Sequence, residues 1–83
     1  MRIDKFLKVT RLIKRREIAK QMLQIGYIKV NDKVAKPSTE IKVDDYIKFD
    51  IPNRRNLLVK VLKISANANI QEAKTLYEIK EED

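Results

Sequence analysis

Arg11, Lys14, Arg15 and Arg16 place four cations within six positions of an 83-residue chain, and Lys20 follows four residues later. Arg2, Lys5 and Lys8 precede them. The chemistry open to such a cluster is phosphate binding. The planar fork of arginine matches two phosphate oxygens at once, and lysine adds a compact point charge. No carboxylate lies between Lys5 and Arg16, so the repulsion within that segment is uncompensated there, and a phosphate backbone would relieve it. The plain alternative is a solvated, charged helix face. The wider charge distribution favours a polyanion. Residues 1–36 carry eleven Lys or Arg against Asp4, Glu17 and Asp32, a balance of +8, while residues 37–83 carry eight against nine acids, a balance of −1. The whole net charge of +7 therefore resides in the first half.

Other chemistries are poorly supplied. The chain has no histidine and no cysteine, which removes disulfides, thiolate nucleophiles, imidazole bases and the usual structural zinc sites. Ser38 and Ser65 lack a histidine to activate them, and Asp44 with Asp45 reads as an adjacent acidic pair in a solvated turn. Gly26 is the only glycine, so there is no phosphate-cradling glycine-rich loop. The expectation is a binding protein, not an enzyme, with no cofactor and no metal. No apolar run is long enough to span a bilayer and no secretory signal opens the chain, so a cytoplasmic location without membrane contact is expected.

The cations need elements to hold them. Ile3, Phe6, Leu7, Thr10 and Ile13 recur at helical spacing and predict a first helix over 3–12, with Asp4 favoured in its first turn and four residues before Lys8. Ile18, Ala19, Met22 and Leu23, with Ile25 nearby, predict a second helix over 15–25 closed by Gly26 as a left-handed cap. The intervening corner is short, so both apolar faces must share one core. Leu12, Ile13, Ile18 and Ala19 would pin it while its cations are thrust outward. Beyond Gly26 the period falls to two. Ile28 and Val30 predict a strand, Asn31 and Asp32 a turn, Val34 the return, and Pro37 a stop. Ile47, Phe49 and Ile51 mark another strand after the Asp44–Asp45 turn. "NLLVKVLKI" then pairs with it across "PNRRN". A short helix over 69–75, a short strand and a frayed acidic end complete the reading. Phe6 and Phe49 are expected in the core, and Tyr27, Tyr46 and Tyr77 at its edge. The fold class is α+β: a two-helix N-terminal motif on a small, mainly antiparallel sheet, with a short C-terminal helix and strand.

Specific residues also carry a family resemblance. "RIDKFLK" followed by "RLIKRREIAKQMLQIGYIKVNDKVAKPSTEIKVDDYI" resembles the S-four-type RNA-binding domain, an alpha-L motif first defined in a small-subunit ribosomal protein. The matching features are Arg2 to Lys5, Arg16 with Ala19, Gly26, Ile28 to Asn31, and Lys36 to Ser38, across residues 2–49. Two turn positions depart from the pattern, since Asp32 and Asp44 stand where the family commonly has glycine. The resemblance implies one RNA-binding domain over 1–83, with a motif core at 2–49 and an extension at 50–83. It also implies RNA contacts centred on Arg2 and Arg16, so that with the charge cluster the expected RNA-binding residues are Arg2, Lys5, Lys8, Arg11, Lys14, Arg15, Arg16, Lys20 and Lys36.

With "DKFLKVTRLIKRR" and a brief helix-and-strand tail, the chain resembles stand-alone bacterial members acting in ribosome-associated quality control. What that implies is binding to a stalled large ribosomal subunit as a monomer, contacts to large-subunit rRNA and P-site peptidyl-tRNA, and support for a partner protein that adds C-terminal alanine tails. Two other readings stand beside it. One is the fifteen-kilodalton heat-shock relative that recycles large subunits, which typically carries a longer basic tail. The other is a small helix-turn-helix DNA reader, for which the second helix offers only Gln21 and Gln24 as amides.

Overall fold

The computed structural model describes residues 1–82. Helix α1 spans Ile3–Val9, and α2 spans Arg16–Ile25. Strands β1 (Ile28–Val30), β2 (Lys33–Val34), β3 (Tyr46–Phe49) and β4 (Leu57–Val61) follow, then α3 (Ile70–Ala73) and β5 (Tyr77–Glu82). The strands form one sheet in the order β2-β1-β3-β4-β5, every neighbouring pair antiparallel. The α+β expectation is met, including the β3–β4 hairpin and the terminal helix and strand.

No side chain caps the start of α1. Its first amides donate instead to a distant loop, Ile3 N to Thr39 O at 2.8 Å and Asp4 N to Pro37 O at 3.4 Å. These are donors that a helix cannot satisfy internally. The Lys36–Thr39 stretch thus fixes where the first helix begins, and it is itself closed by Lys36 N donating to Thr39 Oγ1 at 2.8 Å. The helix ends earlier than its apolar spacing predicts. The buried Thr10 hydroxyl donates to the carbonyls of Phe6 (2.8 Å) and Leu7 (3.2 Å), and Arg11 then turns left-handed at φ 61°. The chain leaves the helical path there, although Ile13 still returns to the core.

Ile3, Phe6, Leu7, Ala19 and Leu23 pack against Ile28, Ile47, Phe49, Val59 and Val61 of the sheet, so the two helices do share one core. Two residues of the second stripe depart from expectation. Ile18 is 37% exposed and Ile25 63% exposed, because the buried face of α2 runs along Ala19 and Leu23 and leaves both isoleucines on its flanks. Ile51, expected on the β3 face, lies beyond the strand and is only partly buried.

The acidic pair is not uniformly solvated. Asp44 is exposed, but Asp45 is buried: Oδ1 accepts from Asn31 Nδ2 at 3.0 Å and Oδ2 from Lys42 N at 2.9 Å. Asn31 Oδ1 accepts from Tyr46 N at 3.0 Å. A carboxylate is tolerated in the interior when hydrogen bonds replace its water, and this one latches the β1–β2 turn to the start of β3. The predicted frayed acidic end is also corrected as far as Glu82. Residues 77–82 pair with β4, from Val61 opposite Tyr77 to Leu57 opposite Glu82. Asp83 lies outside the described residues.

Asp32 (φ 69°) and Asp44 (φ 77°), the two positions where glycine is common, both adopt left-handed backbone, as does Asn31 (φ 49°). Aspartate and asparagine are the non-glycine residues best suited to that region. Gly26 is more demanding. At φ 98° it closes α2, its amide donating to Met22 O and Leu23 O. An added Cβ would meet only Val34 Cγ1, at 3.8 Å. The cost of Gly26→Ala is therefore backbone strain without a clash. Thermal denaturation should show a loss of about 1 to 2 kcal/mol, with the native fold retained.

Candidate nucleic-acid interface

Asp4 organises the basic face. Its side chain is 0% exposed and lies between two arginines, with Oδ2 accepting from Arg2 Nη2 at 3.1 Å and Oδ1 from Arg16 Nη2 at 3.2 Å. Lys5 N also donates to Oδ1, at 2.8 Å. The arginine side chains are 47% and 37% exposed, so each is held at its buried edge and presented at its outer one. This corrects two sequence expectations. Asp4 pairs with Arg2 and Arg16 instead of Lys8, and the cluster does contain a compensating carboxylate, brought in from the first turn of α1. Arg16 Nε is buried without a hydrogen-bond partner, while Nη2 engages Asp4.

The remaining cations divide into neighbourhoods. Lys5, Lys8, Arg11, Lys14 and Arg16 line one groove against the segment around Ala68, with no carboxylate in its lining. Arg11 Nη1 spans the groove to donate to Ala68 O at 3.2 Å. Arg2 and Lys36 share a second concavity, between the end of α2 and the Lys36–Ser38 loop. Arg15 lines a third, which Lys14 also borders, together with Arg54 and Arg55 of the β3–β4 connection. Lys20, half-buried one turn after Arg16, lines none of the three. Lys14 thus joins two cationic regions, and the sequence reading did not include Arg54 or Arg55 among them. Only the unbalanced "RR" of the exposed turn hinted at them, because their proximity to Arg15 depends on the tertiary fold.

The backbone adds to the same field. The N-terminal end of α2 has Arg15 at the cap with no side-chain hydrogen bond, so its first amides and positive dipole end lie among Lys14, Arg15 and Arg16, with Glu17 the acid of the first turn. Cations there are unfavourable for an isolated helix but reinforce attraction for an anion. Among the described residues no group of three or more His, Cys, Asp or Glu could hold a metal ion, and no helix is long and apolar enough to cross a membrane. The tyrosines do not form a stacking platform: Tyr27 and Tyr77 pack against the core, and the Tyr46 ring, on the sheet, has Lys60 Nζ 6.0 Å from its centroid. What this face offers chemically is a curved, positively charged surface with pre-oriented guanidinium groups.

Comparison with known proteins gives a consistent picture. Residues 1–47 match the S4 domain family. The chain is 47% identical over 79 residues to the RQC P-site tRNA stabilizing factor of Streptococcus pneumoniae, covering 95% of this chain and 89% of that protein. It is 42% identical over 83 residues to the factor of the same name from Halalkalibacterium halodurans, covering 100% and 93%. The Bacillus subtilis factor is 37% identical, with 100% and 95% covered. Among solved structures, the trimeric Heat Shock Protein 15 of Vibrio cholerae superposes with a TM-score of 0.86 at 28% identity, covering 96% of this chain and 81% of that one.

Proposed function

Because the chain belongs to the S4 domain family and matches RQC P-site tRNA stabilizing factors along its length, we propose that it is a non-catalytic RNA-binding factor of ribosome quality control that stabilises P-site tRNA. In this reading it binds, as a monomer in the cytoplasm, the stalled large ribosomal subunit. It touches both rRNA and peptidyl-tRNA, and by holding the tRNA it supports alanine tailing by a partner protein. The observation that carries the RNA-binding part is the cationic face, where the buried Asp4 carboxylate orients Arg16 toward one groove and Arg2 toward the neighbouring concavity.

Arg2, Lys5, Lys8, Arg11, Lys14, Arg15, Arg16, Lys20 and Lys36 are the proposed contacts, with Arg16 foremost, and Arg54 with Arg55 extend them. Contacts of this kind are made to phosphates, so they supply affinity and orientation, and the shape of the RNA selects the target. Two neighbourhoods joined through Lys14 suit a protein wedged between two RNA elements better than one lying along a single duplex.

The heat-shock-type recycling role shares this fold but is less well supported. The full-length sequence relatives carry the quality-control name, and the C-terminal residues here form an acidic strand. A helix-turn-helix DNA reader is disfavoured because α2 spends Ala19 and Leu23 on the core and its cations gather at its start. The test is co-sedimentation on density gradients. The protein is expected with large subunits that retain peptidyl-tRNA, and raising salt from 50 to 200 mM should release it with a loss of about 1,000-fold or more in affinity. Retention only on free duplex DNA would overturn the reading.

A further inference from the structure

The groove that holds five of the cations has a second wall, which lies outside the 1–47 family match. That wall is Ala66, Asn67, Ala68 and Ile70, and it carries no charge. Together with Val9 it borders, opposite the cations, an open groove of about 560 Å³. Ile70 is 63% exposed there.

The wall is built to stay in place. Asn69 Oδ1 accepts from Glu72 N at 2.8 Å, capping α3, and Ser65 Oγ donates to Asn67 O at 2.6 Å. Arg11, held in left-handed backbone, ties the two walls by donating from Nη1 to Ala68 O at 3.2 Å and to Val9 O at 3.4 Å. A non-glycine residue in that conformation persists only where surrounding contacts fix it. Among the described residues, the Asn67 side-chain amide has no intrachain hydrogen bond, which leaves a donor and an acceptor facing a groove otherwise lined by aliphatic groups and cations.

A duplex backbone needs only the outer cations, which an open convex surface presents equally well. A concave space with phosphate-binding groups on one side and aliphatic surface plus one amide on the other matches a whole nucleotide. The base has apolar faces and hydrogen-bonding edges, and RNA exposes both only where a nucleotide is unpaired. We propose that this groove takes one extruded nucleotide of the bound RNA, its phosphate on Lys5, Lys8, Lys14 and Arg16 and its base against Val9, Asn67 and Ile70. The proposal rests on the RNA-binding reading above and adds the class of ligand the groove selects.

The test uses the full chain and three RNA hairpins of the same stem, each closed by a non-nucleotide linker so that no loop base is free: fully paired, with one extruded uridine, and with an abasic residue at the extruded position. Dissociation constants are measured by fluorescence anisotropy at fixed salt. The wild-type protein should bind the extruded uridine about tenfold more tightly than the paired stem, as expected for one hydrogen bond plus partial burial of an apolar face. The abasic hairpin should fall back to the paired level. Asn67→Ala with Ile70→Ser, checked for folding by circular dichroism, should remove the preference, with the paired stem as reference. Equal binding of the uridine and abasic hairpins, or a preference that survives in the double variant, would overturn the groove assignment while leaving RNA binding intact. Binding of none of the three hairpins would instead remove the RNA-binding reading and this inference with it.

Discussion

Replacing Lys5, Lys8, Lys14 and Arg15 together by glutamine is expected to weaken RNA binding by about 100- to 500-fold at physiological salt and to lower the salt dependence of log K by about three. These four are chosen because none forms an ion pair or side-chain hydrogen bond among the described residues, so their charge can be removed without opening an internal contact. The expected loss follows from counterion release. Each phosphate neutralised frees about 0.7 to 0.9 of a condensed cation, and four lost contacts multiply. Filter binding across a salt series measures both numbers. A variant whose affinity falls while its salt slope stays at the wild-type value would show that these side chains act through structure and not through phosphate.

The second large effect concerns Asp4, where the proposed binding surface and the folded state share parts. Arg2→Ala with Arg16→Ala strips both charged partners from a fully buried carboxylate. Breaking a buried pair costs about 3 to 5 kcal/mol, and the partial exposure of the arginines reduces this to about 2 to 3 kcal/mol through solvent screening. For a domain of this length, thermal denaturation should register a fall of about 10 to 20 °C. Adding Asp4→Asn should recover part of it, because the amide fills the same space without a buried charge, and a double-mutant cycle isolates the coupling. A triple variant no more stable than the double would mean that the carboxylate is solvated and the arginines are independent of it. Any RNA-binding defect of the arginine variants must therefore be measured well below their own melting temperature, or loss of fold will be taken for loss of contact.

The sequence shows the periodic elements clearly and the polar interior poorly. Ile3, Phe6, Leu7, Ala19, Leu23 and the alternating residues of β1 and β3 declare their faces by spacing, because burial of apolar surface is what fixes them. Gly26 declares its cap because few other residues tolerate that backbone. Asp4 and Asp45 are different. Each is legible as a favourable first-turn or turn residue, and nothing local reveals that Arg16, twelve positions away, or Asn31, fourteen away, completes its hydrogen bonds. Ile18 and Ile25 are misread for the same reason in reverse. A helical stripe records which residues could face a core, while the width of the sheet decides how many do. The cation cluster is visible as composition, but its division among three neighbourhoods and the convergence of Arg54 and Arg55 on Arg15 depend on chain crossings that no short window contains.

Strand β5 has a consequence for solubility. Without it, β4 would present the unpaired amides and carbonyls of Leu57 to Val61, a row aliphatic except for Lys60, as an edge that another chain could join in an intermolecular sheet. With it, the margin on this side of the sheet becomes Tyr77 to Glu82, whose Glu78, Lys80 and Glu81 are poor templates for addition of a second strand. A chain cut before Tyr77 would keep every residue of the family match and would still be prone to precipitate. The acidic segment, which adds nothing to the positive face, thereby covers the backbone edge of β4 that another chain could otherwise join.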